Sequence, residues 1–194
     1  MTGLASPASL IRYFAILGAA IVLVGCSQSA VQHGKNSQIA KADMTLWQTI
    51  DAVAQQIPFT RTRIESLLVT QLVEKDTSRD PIQNTAFQFY TGGPLKLSDD
   101  VVISNVDLRI RHRAGHPGFL VLNLDSSCIT LDTVRAHYHG IRLTDHPRGR
   151  SLDEAASYSA FPEWGKLSFG FKERNRSCLT YVVLNPRFNE DNTE

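Results

Sequence analysis

Side chains able to do chemistry are few in this chain. Cysteines stand at 26, 128 and 178, and four of the histidines fall in two close pairs. His112 and His116 are four apart, but Arg113-Ala114-Gly115 between them and Pro117 after them read as a turn. His137 and His139, two apart on a helix, point about 200° away from one another and cannot share an ion. A metal site needs three or four converging ligands with carboxylates or thiolates nearby, so no metal and no cofactor is expected. The nucleophile elbow G-x-S-x-G, H-E-x-x-H and the P-loop are all missing. Asp99-Asp100 and Asp153-Glu154 read as turn and cap residues, and no catalytic residue is assigned. A hydrolase would need His112, His116, His137 or His146 on a cleft wall with a nucleophile in hydrogen-bond reach.

Residues suited to binding are easier to find. Arg109, Arg111 and Arg113 fall on one side of an alternating segment. A row of guanidiniums there suits an acidic partner or a lipid phosphate; the plain alternative is a solvated sheet face part-neutralised by Asp107. Tyr158-Ser159-Ala160-Phe161-Pro162-Glu163-Trp164-Gly165 places three large aromatics in a stretch read as irregular. Exposed aromatics of this kind supply binding hot spots, although they could equally fold back over the core. The expected partner surface is Tyr158, Phe161 and Trp164, with Arg109 and Arg111.

Helices and strands must position these groups. Thr45-Leu46-Trp47-Gln48 has the form of a capping box, and Leu46, Ile50, Val53 and Ile57 make a helical stripe that Pro58 ends. Thr62-Arg63-Ile64-Glu65 suggests a second box, with Ile64, Leu67 and Leu68 on one face. Phe87–Tyr90, then Val101–Arg111 with Val106, Leu108 and Ile110 alternating, then Phe119–Leu124, read as an antiparallel meander. A third helix is expected over Thr130 to His139, with Thr130 as N-cap and Gly140 as its stop. Residues 144 to 160 read as a long polar stretch with a helical turn capped at Ser151. Leu167, Phe169 and Phe171 form one arm of a last hairpin and Cys178 to Leu184 the other. Thr60 with Ile64 and Leu68 faintly echoes Thr130 with Val134 and Tyr138.

The N-terminus carries an address. Residues 1 to 25 hold one charge, Arg12, followed by an apolar run of secretory-signal length, shorter than the roughly 20 residues of a spanning helix. It ends in Leu23-Val24-Gly25-Cys26, which resembles the lipobox of bacterial lipoproteins. That resemblance implies cleavage before Cys26, acylation of its thiol and amine, and a lasting anchor, each buried methylene contributing about 0.8 kcal/mol. Ser27 after the cysteine implies the periplasmic face of the outer membrane. With Cys26 acylated in an oxidising compartment, Cys128 and Cys178 become an even pair, for which a disulfide is the default and a catalytic or metal-binding thiol the alternative.

Four segments follow: a signal over 1–25, a lipidated cysteine and tether over 26–42, one periplasmic domain over 43–186 and a frayed tail over 187–194. Of the 20 basic and 19 acidic residues, the signal removes only Arg12, leaving 19 of each. That balance argues against nucleic acid, which calls for a basic excess. The expected fold is α+β, with two or three helices on one face of an antiparallel sheet and one disulfide. This order of elements resembles the outer-membrane assembly lipoproteins of the SmpA/OmlA (BamE) kind and the β-lactamase-inhibitor-protein fold. The expected function is non-catalytic: a lipid-anchored protein that binds another periplasmic or envelope protein, as an inhibitor or immunity protein against an envelope-targeting toxin. The alternatives are an envelope-assembly accessory and a cell-wall or lipid hydrolase.

Overall fold

Alternating polarity along the strands gives the sheet two unlike faces. The computed structural model describes residues 40–78, 84–125 and 128–188. Its elements are β1 (Ala40–Lys41), α1 (Leu46–Ala54), α2 (Arg61–Leu68), β2 (Leu72–Glu74), β3 (Phe87–Gly92), β4 (Leu95–Lys96), β5 (Val102–Arg111), β6 (Phe119–Leu124), α3 (Leu131–His137), β7 (Arg142–Asp145), β8 (Ala155–Ala160), β9 (Gly165–Lys172) and β10 (Tyr181–Pro186). The fold is α+β: among the described residues there are three α-helices and a large sheet, antiparallel except where β1 runs parallel to β4. Strand order is β1-β4-β5-β6-β10-β9-β8-β7. The edge of β5 is shared, with β4 pairing its start and β3 the remainder. The β3, β5, β6 meander is present as expected.

Register puts Val106, Leu122, Val182 and Phe169 in one row across four strands, with Leu108, Leu120, Leu184 and Leu167 in the next. All eight are buried, in one cluster with Leu46, Ile50 and Val53 of α1, Ile64 and Leu68 of α2 and Val134 of α3. The helices thus share a core with one face of the sheet.

Each helix begins on a threonine. Thr45 accepts from the Gln48 N–H and Gln48 accepts from the Thr45 N–H at 3.0 Å, completing the expected capping box. The Asp99 carboxylate also accepts the Leu46 N–H at 2.9 Å, tying α1 to the turn before β5. In α2 the cap is Thr60 and not Thr62. Phe59 is buried and donates its N–H to Pro117 O at 2.9 Å, so the helix can start directly after it. Starting there turns Ile64 and Leu68 inward. Glu65 then has no cap to reach back to. It accepts from Arg61 Nε at 3.0 Å and from the Leu72 N–H at 2.8 Å, and these bonds, the backbone one foremost, hold its carboxyl below the usual range. The third helix is capped by Thr130 as expected but closes at His137, because Tyr138 turns extended and packs its ring 5.1 Å from Phe169. Gly140, at φ +71°, serves the following turn.

The polar stretch 144 to 160 is corrected too: it holds most of the β7–β8 edge hairpin. Its strands are rich in serine, threonine and alanine, so no apolar alternation announces them. Hydroxyls join them instead, Thr144 to Ser159 at 2.7 Å and Ser159 to Ser168 at 2.9 Å. At Ser151 there is a turn, with Glu154 accepting from the Arg148 and Arg150 N–H groups. At Gly170, beside this hairpin, the Tyr181 ring lies where a Cβ would stand, so any side chain there would require that ring to move.

Cys128 and Cys178 form the disulfide, their Cα atoms 4.8 Å apart. At the N-terminal border, β1 falls inside the expected tether and Ala42 is buried, so the sheet begins by Ala40. The expected signal, Cys26 and residues 27–39 lie outside the described residues. In the expected tail, the Arg187 N–H donates to Trp164 O at 2.7 Å, and 189–194 lie outside. No helix among the described residues is long and apolar enough to cross a membrane.

Two substitutions measure what holds this arrangement. Phe169→Ala should cost about 3–5 kcal/mol in urea unfolding, as a large ring leaves a closed core. Replacing both Cys128 and Cys178 by alanine opens a loop with a separation of 50 residues, for which chain entropy gives a loss of about 4 kcal/mol. A double variant as stable as the parent would show that the bridge adds nothing.

Candidate interaction surface

Past a bulge at Ile103–Asn105, the odd-numbered residues of β5 point away from the helices, while Ile103 itself is buried in the core. Arg109 pairs with Phe89 of β3 on one side and Phe119 of β6 on the other, so the three form a row across three strands. Its guanidinium lies 5.3 Å from the Phe89 ring and 4.9 Å from the Phe119 ring. It also forks onto Asp107, with Nη2 2.6 Å and Nε 3.0 Å from Oδ2. Arg111 repeats the pattern one step along, 5.5 Å from its register partner Phe87. Phe87 stands edge-on to Phe119 at 5.8 Å and to His116 at 6.1 Å. Beyond the strand end, Arg113 lies 5.1 Å from Phe188, which also packs on His116 at 4.9 Å.

Each cation on a ring contributes about 0.5–1 kcal/mol at an exposed site. The larger effect is on conformational freedom, because a guanidinium held between rings has few rotamers left to lose when a partner arrives. Partial burial, then Arg111 and Arg113, push the His116 imidazole pKa down. Its Nδ1 accepts the Gly118 N–H at 3.0 Å, so the neutral ring carries its proton on Nε2. Across the rest of this face the outward strand charges are Lys96, Arg142, Lys166 and Lys172 against Asp145, with Lys96 and Lys172 paired to Asp100 and Asp153. Counting Arg109, Arg111 and Asp107, the face is cationic.

The expected surface is not one patch. Arg109 and Arg111 lie on this outer face, and Asp107 is the expected neutraliser. Tyr158 is in β8, not in an irregular stretch; its register partner is Phe169, so it points to the helix side and meets Phe171 edge-on at 5.8 Å. Trp164 is half-buried against the core. Phe161 is 51% exposed, with Arg142 4.6 Å over its ring. Phe161 and Trp164 line a cavity of about 360 Å³ with Asp51, Tyr138 and Leu167, on the helix side of the sheet. Sequence reading missed Phe87, Phe89 and Phe119 as partners of the arginines. Their signal was parity with Arg109, which becomes usable only once the pairing of β5 with β3 and with β6 sets the register.

The histidines are dispersed. His112 is exposed on the wall of an open hollow of about 570 Å³ beside Glu74–Ser78. His137 stacks on Trp47 at 4.1 Å, and His146 is exposed after β7. Among the described residues no histidine side chain is bonded to a serine, threonine or carboxylate, and no group of His, Cys, Asp and Glu is arranged to hold a metal.

No family model matches the chain, and neither a curated protein nor a solved structure matches it.

Tyr138 yields a pH prediction. Its hydroxyl donates to Asp51 Oδ1 at 3.3 Å, and burial, then the Asp51 charge, raise its pKa well above the usual phenol value. A raised folded pKa means this stabilisation is complete below about pH 10 and is lost as pH rises toward the folded value. The thermal midpoint should therefore fall above about pH 10, with a shallower fall in Tyr138→Phe. Identical slopes in both proteins would remove Tyr138 as the cause.

Proposed function

We propose that this is a lipid-anchored envelope protein that binds another protein through the outer face of its sheet. The observation that carries the reading is the row Phe89, Arg109, Phe119 with Arg111 on Phe87: large rings and guanidiniums, half-exposed, held in place and covered by no helix among the described residues. Arginines and aromatics dominate binding hot spots, and the cationic balance of the face calls for an acidic partner. The lipobox-like Leu23-Val24-Gly25-Cys26 supports the anchor, and the disulfide suits an oxidising compartment.

Within this reading the role is that of an inhibitor or immunity protein facing an envelope-targeting toxin. A pre-ordered face on a sheet stapled by a disulfide suits tight, rigid capture of one partner.

Anchor and surface are tested separately. Radiolabelled palmitate should enter the full chain and be lost in Cys26→Ser; equal labelling of both would remove the anchor. For the surface, a photo-crosslinking residue at position 89 or 111 should give one discrete adduct in the native envelope, and the same residue at exposed Arg63 of α2 should give none. Against the partner so identified, Arg111→Glu and Phe89→Ala should each weaken binding by about 2 kcal/mol or more. Adducts at position 63 as abundant as at 89 and 111 would count against this face.

A further inference from the structure

The cavity on the helix side has a composition that the outer face does not explain. Tyr138 from the end of α3 and Phe161 and Trp164 from the turn between β8 and β9 contribute rings to its lining, and Asp51 of α1 and the exposed His139 join them. Leu167 and Ile50 complete an apolar floor. The volume, about 360 Å³, falls in the range of roughly 300–1,000 Å³ that small-molecule sites occupy.

The charge at this site is specific. Asp51 is exposed on α1 and takes the Tyr138 hydroxyl at 3.3 Å, which fixes one carboxylate oxygen at the cavity. Among the described residues it has no cationic partner. Rings that line a concave site around an uncompensated carboxylate favour one class of ligand. A ring face attracts a cation, and the attraction grows when the cation is desolvated. An anion would be repelled by Asp51, and a neutral apolar molecule would leave that charge unanswered. An ammonium carrying methyl groups gains both terms without needing the several hydrogen-bond acceptors that a bare ammonium requires.

We infer that this cavity binds a methylated ammonium group, as found on choline, between Tyr138, Phe161 and Trp164 with Asp51 as counter-charge. The site is on the opposite side of the sheet from the Phe89–Arg109–Phe119 row and does not depend on the protein-binding proposal.

The test uses the full chain in a choline-free non-ionic detergent and follows the indole N–H resonances. Choline is titrated against 3,3-dimethylbutanol, its uncharged isostere. Choline should move Trp164 and bind about tenfold more tightly than the isostere. Asp51→Asn, on an exposed position where folding is checked by circular dichroism, should reduce that preference severalfold. Phe161→Leu, also exposed, should weaken choline severalfold. Equal affinity for choline and the isostere, no response of Trp164 to choline, or a preference undiminished in Asp51→Asn would overturn the assignment. Vesicles separate the sources of the group. Response to phosphatidylcholine and not phosphatidylglycerol assigns it to a lipid headgroup, and response to soluble choline alone assigns it to a free solute.

Discussion

A sheet whose strands alternate apolar with polar residues must be roofed on its apolar side, and three short helices do that work here. Their stripes, Leu46-Ile50-Val53, Ile64-Leu68 and Val134, meet the rows led by Phe169 and Leu120 in one continuous cluster. At about 25 cal/mol per Å² of apolar surface, that burial is the main favourable term for the domain. Everything else is arranged around it. Threonine caps start the helices where their stripes face inward, the disulfide ties the entry of α3 to the tip between β9 and β10, and Glu65 bonds α2 to β2. The apolar side is spent on stability, and the opposite side is free to carry something else.

What the opposite side carries follows from strand geometry. A guanidinium in the middle of a sheet has neighbours on both sides at the same level, and here those neighbours are rings. Arg109 therefore gains two cation–ring contacts and an ion pair with Asp107 while its own side chain stays 36% exposed. The neutral His116 ring and Phe188 extend the cluster past the strand end. Such a surface is ordered before any partner arrives, so little side-chain entropy remains to be lost on binding. The cavity near Asp51 follows a different logic, with a few rings and one charge converging from three distant parts of the chain.

Local chemistry explains which elements were legible. Thr45 with Gln48 was readable because the capping box is closed within four residues, and β5 was readable because apolar and charged residues alternate from Val106 to Arg111. Thr60 was misplaced to Thr62 because two threonines stand close together and only the burial of Phe59 chooses between them. The β7–β8 hairpin was hidden for the opposite reason: serines, threonines and alanines form strands held by hydroxyl bonds, so the hydrophobic period never appears. Of the expected binding residues, Arg109 and Arg111 were readable as a pair by period two, whereas Tyr158 belongs to the other face because β8 pairs in register with β9.

Sequence by itself determined the α+β class, the helical stripes of α1, α2 and α3, the β3, β5, β6 meander and the final hairpin, since each rests on contacts or periods within a few residues. It also carries the N-terminal Leu23-Val24-Gly25-Cys26 motif, whose reading depends on order alone. Only the tertiary structure decided that Phe89, Arg109 and Phe119 form a row, and that Arg109 and Trp164 lie on different sides of the sheet. It alone also brought Asp51 together with Tyr138. The physical reason is register: strand pairing brings together residues far apart in the chain, and a slip of one position would exchange the two faces.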